Sequence, residues 1–407
     1  MRKYFLLFII LLLNNFVSAA QVEIKDKIKN AVANYLPTHF LNASFMFANE
    51  TDYLLAGAKG LYSLEGESLT PHQQMPIASG TKSMTAAAIL KLQEKGLLNV
   101  KDKITKHLDK NSFIWGGDTI PYAASQITLH QLLTHTSGIV EYLPALQIDP
   151  TLSHPEINKA IIHFAFSKPL EFTPGTKFKY SNTNYVLLGL IIEQVSGKIL
   201  ANFFQDEIFV PLGMNSTHLA SLEEALQIQR SPDSAPYPHR YFVVPNNSLK
   251  PEFTPVLVDF FLVPYADGGV ISTPRDLITW HRGLHQGKIL SKNSYKLMTE
   301  KYIEAPSKSG HKTYSGYGIF IADLGDGEEL LYHSGSAVAI RSEAGYVPQK
   351  NLYFAILSNV MFKMPQGVAD KIGSTPPVDA NVKLDSSNPV NQLDILFFRD
   401  AILNAIK

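Results

Sequence analysis

Residues 79–96 read SGTKSMTAAAILKLQEKG, a Ser-x-x-Lys group followed at once by an Ala-rich apolar run. The run predicts a buried helix that ends near Gly96, because a glycine readily adopts the left-handed conformation that terminates helices. Residues three apart share one face of a helix, so Lys82 can reach the oxygen of Ser79. A serine hydroxyl becomes a good nucleophile when a neighbouring group takes its proton. The stretch therefore predicts a serine nucleophile with a base one turn away.

The context of Ser79 carries more weight than the spacing, because the chain contains a second Ser-x-x-Lys group. Ser309 and Lys312 have the same spacing, but they lie in a polar, glycine-containing stretch with no helical pattern after it. An alternative stays open for residues 79–82, in which Ser79 caps the helix and Lys82 is an exposed lysine of its first turn. The Ser79 amide would also belong to that turn, where unpaired N–H groups favour negative charge.

A second group, Tyr180–Asn182 (Tyr-Ser-Asn), directly precedes a predicted helix. It comes soon after Phe172–Gly175 (FTPG), a turn that would hold it on a loop. A lysine ammonium nearby would favour the charged form of the phenol, so we expect the pKa of Tyr180 to fall and the phenol to act as a second base. The Asn182 amide could donate to a substrate carbonyl. A buried tyrosine and a helix-capping asparagine are the alternative.

A third group, His333-Ser334-Gly335-Ser336, ends a short strand pattern and leads into another strand. Four other positions share the His/Lys-x-Gly pattern but lie in helical runs or loops: His281, His285, Lys308 and Lys371. Small side chains at Gly335 and Ser336 would let the backbone approach a ligand. The Ser336 amide could then stabilise an oxyanion together with the Ser79 amide. A strand-end turn without function is the alternative.

Two further motifs have no chemistry that we can assign from the sequence. Leu133–Gly138 (LTHTSG) is typical of a helix exit stabilised by hydroxyls and a glycine, and Asp267–Leu277 (DGGVISTPRDL) of a turn before a helix start. His135 is interpreted as a structural, hydrogen-bonding histidine, because Lys82 and Tyr180 already fill the role of base.

The composition is that of an ordinary globular protein and excludes several functions. Of 407 residues, 45% are hydrophobic and 18% charged, and 36 basic side chains balance 36 acidic ones. A net charge of zero gives no electrostatic basis for binding nucleic acid or an anionic membrane. The chain has no cysteine, which excludes disulfides, a cysteine nucleophile and cysteine-ligated metal. No metal-ligand cluster stands out among the 13 histidines, and we expect no cofactor.

The N-terminus predicts secretion across the inner membrane. Met1–Lys3 is basic, Tyr4–Leu13 is apolar, and Val17–Ala20 supplies small residues. These are the parts of a secretory signal, so we expect cleavage after Ala19 or Ala20 and a periplasmic or extracellular protein. The apolar run is shorter than the roughly 20 residues that span a bilayer, so no stable span is expected after cleavage. An uncleaved anchor is the alternative.

Strand patterns near both ends of the chain enclose a mostly helical middle, at about residues 80–283. An amphipathic helix over 21–40 precedes two strands joined by a polar turn, Ala43–Ala48 and Tyr53–Leu61. Helix patterns in the middle include Thr128–Thr134, Tyr185–Val195 and Pro274–Leu284. The late patterns are the strands Gly316–Ile321, Leu330–His333, Val338–Tyr346 and Tyr353–Leu357, and a closing helix, Leu393–Ile406.

These patterns predict an α/β fold over residues 21–407. One antiparallel sheet would be built from the N- and C-terminal strands and flanked by helices, with the helical subdomain inserted into it. The functional site would lie in the crevice between sheet and subdomain. Residues 363–390 are rich in Pro, Asp, Ser and Asn, and predict a long surface loop. This loop could be a lid over the site or a disordered segment.

Taken in order, the motifs resemble those of the serine β-lactamase and penicillin-binding-protein superfamily. They are most similar to the branch of class C β-lactamases and D-alanyl-D-alanine carboxypeptidases (peptidase S12), which includes related esterases. The resemblance covers roughly residues 30–360, and Leu393–Ile406 matches the usual closing helix. It implies that Ser79 is the nucleophile and that Lys82 and Tyr180 form the proton-transfer pair.

The resemblance also implies roles on the substrate side. Asn182 would bind the acyl-side amide of the substrate, and His333 with the Gly335–Ser336 backbone would line the oxyanion side. Class C β-lactamases usually carry lysine at the place of His333, whereas histidine is more like the carboxypeptidases and some esterases. This departure weakens the expectation of efficient antibiotic hydrolysis.

A carboxypeptidase must also hold a terminal carboxylate, which suits the fork of an arginine. Arg341, on the strand after His333, is our candidate, and Arg275 is interpreted as a helix-start residue. Four aromatic residues could wall the pocket, although most such residues belong to the core: Tyr142, Phe260, Phe261 and Tyr265.

The sequence thus predicts an exported serine hydrolase that acts through an acyl-enzyme on an amide, lactam or ester. Its nearest types are the D-alanyl-D-alanine carboxypeptidase and the β-lactamase, with a small molecule or a peptidoglycan peptide as substrate. A carboxylesterase of the same family is one alternative. A non-catalytic envelope protein that binds peptidoglycan is another, from a different class. The sequence predicts neither the natural substrate nor the oligomeric state.

Overall fold

The computed structural model describes most of the chain from residue 21 onward. The described residues are 21–63, 65–109, 113–115, 120–143, 145–146, 148–149, 151–230, 237–239, 241–244, 252–255, 265–307, 310–337, 339–362 and 395–407. The predicted signal (1–20), the predicted loop (363–390), Phe260 and Phe261 lie outside them.

Strands and helices alternate in blocks along the chain. The helices are α1 (21–38), α2 (Thr81–Glu94), α3 (Tyr122–Gln126), α4 (Leu129–Leu133), α5 (His154–Phe166), α6 (Asn182–Ser196), α7 (Leu200–Phe204), α8 (Val210–Leu212), α9 (Leu222–Arg230), α10 (Pro274–His285), α11 (Lys292–Met298) and α12 (Ile395–Ala405). The strands are β1 (Ala43–Ala48), β2 (Tyr53–Lys59), β3 (Met75–Pro76), β4 (His218–Leu219), β5 (Tyr241–Val244), β6 (Glu252–Pro255), β7 (Val270–Ser272), β8 (Ile303–Ala305), β9 (Thr313–Ser315), β10 (Phe320–Gly325), β11 (Glu328–Ala337), β12 (Ile340–Val347), β13 (Leu352–Ser358) and β14 (Val360–Phe362).

The principal sheet joins the two ends of the chain. It has eight strands in the order β2-β1-β13-β12-β11-β10-β9-β8, and each neighbouring pair is antiparallel. The join is β1 on β13, with Phe45 opposite Ile356. This confirms the predicted α/β fold with an antiparallel sheet built from N- and C-terminal strands. Two three-stranded sheets, β3-β7-β4 and β14-β5-β6, lie outside it.

Both faces of the sheet are covered, which explains why every residue of β1 is buried. Phe45 and Phe47 point to a core shared with α1 and α12, and Met46 and Ala48 to a larger core shared with the middle helices. This alternation is the period of two that a strand imposes on its side chains. The helical core centres on α2 and α6, which pack against each other. The face of the sheet toward α2 is therefore where strand residues can meet helix residues.

The strand bounds near His333 differ from the prediction in two ways. The predicted strand Gly316–Ile321 is in fact a tight turn followed by the start of a strand. The Gly316 N–H donates to the Ile319 carbonyl at 3.0 Å across the turn, and β10 begins only at Phe320. The short strand β9 precedes that turn and was not predicted. His333 does not end a strand, since β11 continues through it to Ala337. The prediction of a strand end at His333 is wrong, because pairing with β12 extends through Ser336 and Arg341.

Within the described residues, no single helix has both the length and the apolar character needed to cross a bilayer. The pair Asn182–Ser196 and Leu200–Leu212 meets that test jointly by length and composition, but it is bent by 79°.

Candidate active site

Ser79 lies in a tight turn that is hydrogen-bonded to the main sheet. The turn is a 3-10 helix, Ala78–Gly80, directly before α2. Ala78 has a φ of +46°, in the left-handed region that costs a non-glycine residue about 1–3 kcal/mol. Ser342 of β12 donates from its hydroxyl to the Ile77 carbonyl at 2.6 Å, which fixes the start of the turn. Strain held beside a candidate nucleophile is common at functional sites.

Gly335 of β11 packs directly on the same turn. A Cβ at Gly335 would lie 1.9 Å from the Ile77 carbonyl oxygen and 2.2 Å from Ser342 Oγ. Only a glycine therefore lets β11 approach the turn this closely. The contact places Ser336, the next residue, in the wall of the cleft that contains Ser79.

Lys82 is fully buried, with 0% of its surface exposed, and makes three hydrogen bonds. Its ammonium donates to Ser79 Oγ at 2.9 Å and to Asn182 Oδ1 at 2.6 Å, and also to the Asp267 carbonyl. These acceptors use all three N–H donors of a lysine. The alternative of an exposed first-turn lysine is therefore wrong.

Burial also changes the protonation of Lys82. Desolvation lowers the pKa of the Lys82 ammonium, and the carboxyl groups of Asp267 and Glu141 oppose this by stabilising its charge. The desolvation is the larger effect, so the pKa lies below the usual range of a lysine. A larger fraction of neutral amine, the form that accepts a proton, is therefore present near neutral pH than for an exposed lysine.

Tyr180 reaches Ser79 from the loop before α6. Its phenol hydrogen-bonds with the Ser79 side chain, and Lys82 Nζ lies 5.1 Å from the centre of its ring. The expectation that its pKa falls is wrong: desolvation raises the pKa of Tyr180 well above its usual value, by more than the Ser79 hydrogen bond lowers it. The phenol is therefore neutral at rest and is suited to pass a proton on rather than to start as a base.

The LTHTSG motif holds the Tyr180 loop in place. The His135 ring stacks on the Tyr180 ring with centroids 4.2 Å apart, and His135 Nδ1 accepts from the Ser181 N–H at 3.2 Å. Ser137 Oγ donates to Asn184 Oδ1 at 2.6 Å in the same layer. Desolvation lowers the pKa of His135 well below its usual value, which keeps the ring neutral. This geometry agrees with a structural, hydrogen-bonding role for His135.

The segment around Asp267–Gly269 (DGG) is joined by hydrogen bonds on both sides to the first turns of α2, which carry Lys82. The Val270 N–H donates to Thr81 Oγ1 at 3.0 Å, and Thr85 Oγ1 donates to the Ala266 carbonyl at 2.7 Å. Between these contacts the Asp267 carbonyl accepts from Lys82. The Asp267–Leu277 motif, to which the sequence analysis could assign no role, thus helps to position Lys82.

Glu141 is a residue of this network that the sequence analysis missed. Its carboxylate accepts from both nitrogens of Asn182, at 2.6 Å for the backbone N–H and 3.1 Å for the side-chain amide, and from the Leu143 N–H at 2.9 Å. Asn182 is thus the first residue of α6 and lies between Glu141 and Lys82. A lone glutamate on a loop three residues after LTHTSG gives no sequence signal for such a role.

His333 lies behind the site on β11 and is buried, with 4% of its surface exposed. Its Nδ1 is 2.6 Å from the Ser334 carbonyl oxygen, and its ring centre is 5.2 Å from that of Phe320 and 6.5 Å from that of Tyr180. Desolvation lowers the pKa of His333 to about 3, so the ring is neutral. It supplies bulk and polarity beside Tyr180 rather than a positive charge.

The other predicted residues are divided between the site and its surroundings. Tyr142 lines the cleft, and its hydroxyl donates to Asp267 Oδ2 at 3.0 Å. Tyr265 is core, since its ring packs on Gly189 and its hydroxyl donates to Glu193 Oε2 at 2.8 Å. Arg341 lies opposite Ser336 on β12 and donates to its hydroxyl at the edge of the cleft. Arg275 is exposed at the start of α10, as expected.

The cleft that contains Ser79 is partly open to solvent. Ser79, Asn182 and Ser336 form part of its polar wall. The rest of the wall is mainly apolar: Ala220, Ala225, Ile228, Ile271, Ala337 and Ile340. In the part of the chain that the structure describes, no group of three or more His, Asp or Glu side chains is placed to hold a metal ion.

Comparison with known proteins places the chain in a family. The model of the Beta-lactamase family matches residues 28–373. Penicillin-binding protein 4* of Bacillus subtilis is 28% identical over 305 residues, which is 73% of this chain and 63% of that protein. The chain thus spans less than two thirds of the length of this relative.

Two solved structures share the fold over most of this chain. The D-amino acid amidase of Ochrobactrum anthropi, in complex with L-phenylalanine amide, superposes with a TM-score of 0.70 at 21% identity, covering 94% of this chain and 98% of that one. A D-stereospecific amidohydrolase of a Streptomyces species has a TM-score of 0.62 at 26% identity, covering 84% and 94%. With the family match across most of its length, the chain belongs to the β-lactamase family of the serine β-lactamase and penicillin-binding-protein superfamily.

Proposed function

We propose that this protein is a serine hydrolase that cleaves an amide or lactam bond through an acyl-enzyme on Ser79. The observation that carries the proposal is the 2.9 Å hydrogen bond from the fully buried Lys82 to Ser79 Oγ, in the wall of an open cleft. A buried lysine with a lowered pKa next to a serine hydroxyl is the pairing that activates a nucleophile. Family membership and the amidase-like fold support the same reaction class.

The reaction begins with proton transfer to the neutral fraction of Lys82. As Ser79 Oγ forms its bond to the substrate carbonyl carbon, its proton passes to Lys82 Nζ. The carbonyl oxygen gains the electron pair and becomes an oxyanion, which the backbone amides of Ser79 and Ser336 stabilise. Because the reactive amine must be neutral, acylation rises with pH through the pKa of Lys82.

The second step breaks the carbon–nitrogen bond. The oxyanion reforms the carbonyl, and the leaving amine takes a proton from the Tyr180 hydroxyl, which is replenished from Lys82. Tyr180 suits this role because its raised pKa keeps it protonated until the nitrogen becomes basic. Water then attacks the ester, and Ser79 regains its proton through the same groups as the acid leaves.

We further propose a substrate with a D-configured residue beside the scissile bond, as in a D-amino acid amide or a D-alanyl-D-alanine peptide of peptidoglycan. The support comes from the proteins that resemble this chain in sequence or fold, which are a penicillin-binding protein, a D-amino acid amidase and a D-stereospecific amidohydrolase. The basic start and apolar run of residues 1–20 support action outside the inner membrane, where peptidoglycan lies. A penicillin would act as an alternative acyl donor at the same serine.

Intact-mass analysis with benzylpenicillin and with a fluorophosphonate tests the nucleophile. We expect one adduct on the wild type, none on Ser79→Ala, and an unchanged adduct on Ser309→Ala, which removes the serine of the other Ser-x-x-Lys group. An adduct on Ser79→Ala, or none on the wild type with either probe, would contradict the proposal.

Parallel turnover assays test the substrate class. The substrates are a D-Ala-D-Ala peptide, the same peptide ending in L-Ala-L-Ala, a cephalosporin and a short-chain p-nitrophenyl ester. We expect the D-peptide to be cleaved and its L-counterpart to be spared. Preference for the p-nitrophenyl ester alone would assign the carboxylesterase alternative, and binding of peptidoglycan without any turnover would assign the non-catalytic one.

A further inference from the structure

We propose that Glu141 is the positioning residue of the proton-transfer network: it binds both nitrogen atoms of Asn182 and so turns the Asn182 side-chain oxygen toward Lys82. The proposal rests on the function proposed above, because it assigns the residue that holds Lys82 ready to act on Ser79. Glu141 acts on Ser79 indirectly, through the orientation of Asn182 and through the charge of Lys82.

The orientation of the Asn182 amide follows from the chemistry of its neighbours. A lysine ammonium has only donors, and a carboxylate has only acceptors. Asn182 Oδ1 must therefore face Lys82, at 2.6 Å, and Nδ2 must face Glu141, at 3.1 Å. Without the carboxylate, Nδ2 would lose this acceptor. Once Lys82 is the neutral amine, which can itself accept a hydrogen bond, nothing in this contact would prevent the amide from flipping.

The Glu141 carboxylate is itself held by backbone hydrogen bonds as well as by the Asn182 side chain. It accepts from the Asn182 and Leu143 backbone amides at 2.6 and 2.9 Å, so both of its oxygens are used. Thr183 Oγ1 donates to the Val140 carbonyl at 2.8 Å, which ties the Glu141 loop to the first turn of α6. Desolvation raises the pKa of the Glu141 carboxyl to about 7, and the backbone amides of Asn182 and Leu143 and the charge of Lys82 oppose this by stabilising the carboxylate. The placement of Glu141 is thus determined by the backbone.

Glu141 also acts on the charge of Lys82. The titratable groups that face Lys82 are the carboxyls of Asp267 and Glu141, the rings of His135 and His333, and the phenols of Tyr180 and Tyr185. Desolvation lowers the pKa of both histidines and raises that of both tyrosines, so these four stay neutral near pH 7. The two carboxyl groups are left to oppose the desolvation of the ammonium. Burial raises the pKa of both carboxyls, that of Glu141 to about 7, so Glu141 carries its charge above about pH 7, where Lys82 titrates with a pKa of about 8. Loss of the Glu141 charge would therefore lower the pKa of Lys82.

Two substitutions separate orientation from charge. In Glu141→Gln the side-chain oxygen can still accept from both nitrogens of Asn182, but the charge is gone and the NH₂ group cannot accept from the Leu143 N–H. We expect acylation by a fluorophosphonate to stay within about tenfold of the wild type, with the acidic limb of its pH profile moved down by about one pH unit. In Glu141→Ala the orientation is lost as well, and we expect acylation to fall by about 100-fold. Glu304→Gln, an exposed glutamate 3.7 Å from Lys312, is the matched control and should behave as the wild type.

A double-mutant cycle tests whether Glu141 works through Asn182. Acylation of Glu141→Ala/Asn182→Ala should be no slower than that of Asn182→Ala alone, because the group that Glu141 positions is already absent. An equal loss in both backgrounds would overturn the proposal. A Glu141→Gln profile that coincides with the wild type would show that the charge does not reach Lys82, and would overturn the electrostatic half.

A readout that needs no substrate keeps this test apart from the proposed function. In protein labelled with ¹³Cε-lysine, the Lys82 signal, assigned with Lys82→Met, should titrate at lower pH in Glu141→Gln than in the wild type. If Glu141→Ala does not fold, this titration still decides whether the charge of Glu141 reaches Lys82, and the acylation rate of Glu141→Gln decides whether an uncharged acceptor is enough to position Asn182. If the wild type is never acylated but the Lys82 signal shifts as expected, the proposed function fails and the effect of the Glu141 charge on Lys82 stands.

Discussion

Replacing Gly335 by alanine tests whether the contact between β11 and the Ser79 turn positions the nucleophile. The new Cβ would lie 1.9 Å from the Ile77 carbonyl oxygen, which also accepts from Ser342 Oγ at 2.6 Å and from the Gly80 N–H at 3.1 Å. Real contacts of this kind stay beyond 3.0 Å, so the turn or the strand must move by at least about 1 Å. Ser79 is two residues from Ile77 and would move with the turn.

The expected loss follows from that displacement. A misplacement of about 1 Å can cost a reaction about 100-fold in rate. Overpacking in a filled site adds about 1–3 kcal/mol of destabilisation. We therefore expect Gly335→Ala to be acylated by a fluorophosphonate about 100-fold more slowly than the wild type, with a measurable loss of stability in urea unfolding.

Gly80→Ala is the matched control in the same turn. Its Cβ would meet Ile77 Cδ1 at 3.4 Å and Ser342 Oγ at 3.5 Å, which are ordinary contacts, and its φ of −54° suits alanine. We expect it to fold and react as the wild type. A folded Gly335→Ala protein that is acylated at the wild-type rate would refute the reasoning, because the turn would then tolerate the displacement.

Three further predictions address the proton relay, the support of α2 and export. Tyr180→Phe should slow acylation by about 100-fold or more, yet leave the acidic limb of the pH profile in place, because that limb belongs to Lys82; a limb that moves would assign it to the phenol. Gly318→Ala should destabilise the protein by about 1–3 kcal/mol more than Gly325→Ala in urea unfolding. Both glycines have positive φ, but of the two added Cβ atoms only that at Gly318 would meet a neighbour, the Lys82 carbonyl oxygen at 2.4 Å, so equal losses would contradict the packing argument. N-terminal sequencing of the protein from its native host should begin at Ala20 or Gln21, and a chain that keeps Met1 would argue against a cleaved signal.

The main sheet could be predicted because its strands carry complete local patterns. Ala43–Ala48 is a short run that is apolar except for Ser44, which is the pattern of a strand buried on both faces, and its side chains point alternately to the two cores. The three residues of β9 are too few to show a pattern, and they form a strand because β8 and β10 pair with them. The extension of β11 past His333 likewise depends on pairing with β12, a tertiary effect that overrides the weak strand preference of Gly335 and Ser336.

The site could be predicted where side-chain type decides the chemistry. The structure brings Ser79, Lys82, Tyr180 and Asn182 together in one hydrogen-bonded group, although their roles stay predictions until they are tested. The direction of the Tyr180 pKa shift was missed because desolvation depends on packing from distant segments. The role of Asp267 was missed for another reason: its carbonyl receives the Lys82 ammonium, and every residue type carries a carbonyl.

The most direct test of the account is to map the acylated residue. After reaction with a fluorophosphonate and digestion with trypsin, tandem mass spectrometry should find the label on the peptide Gly60–Lys82 and locate it at Ser79 rather than at Ser63 or Ser68. Label at Ser79 that disappears in Lys82→Ala would support a serine activated by the lysine one turn away. Label on Ser309–Lys312, or unchanged labelling of Ser79 in Lys82→Ala, would contradict the central claim.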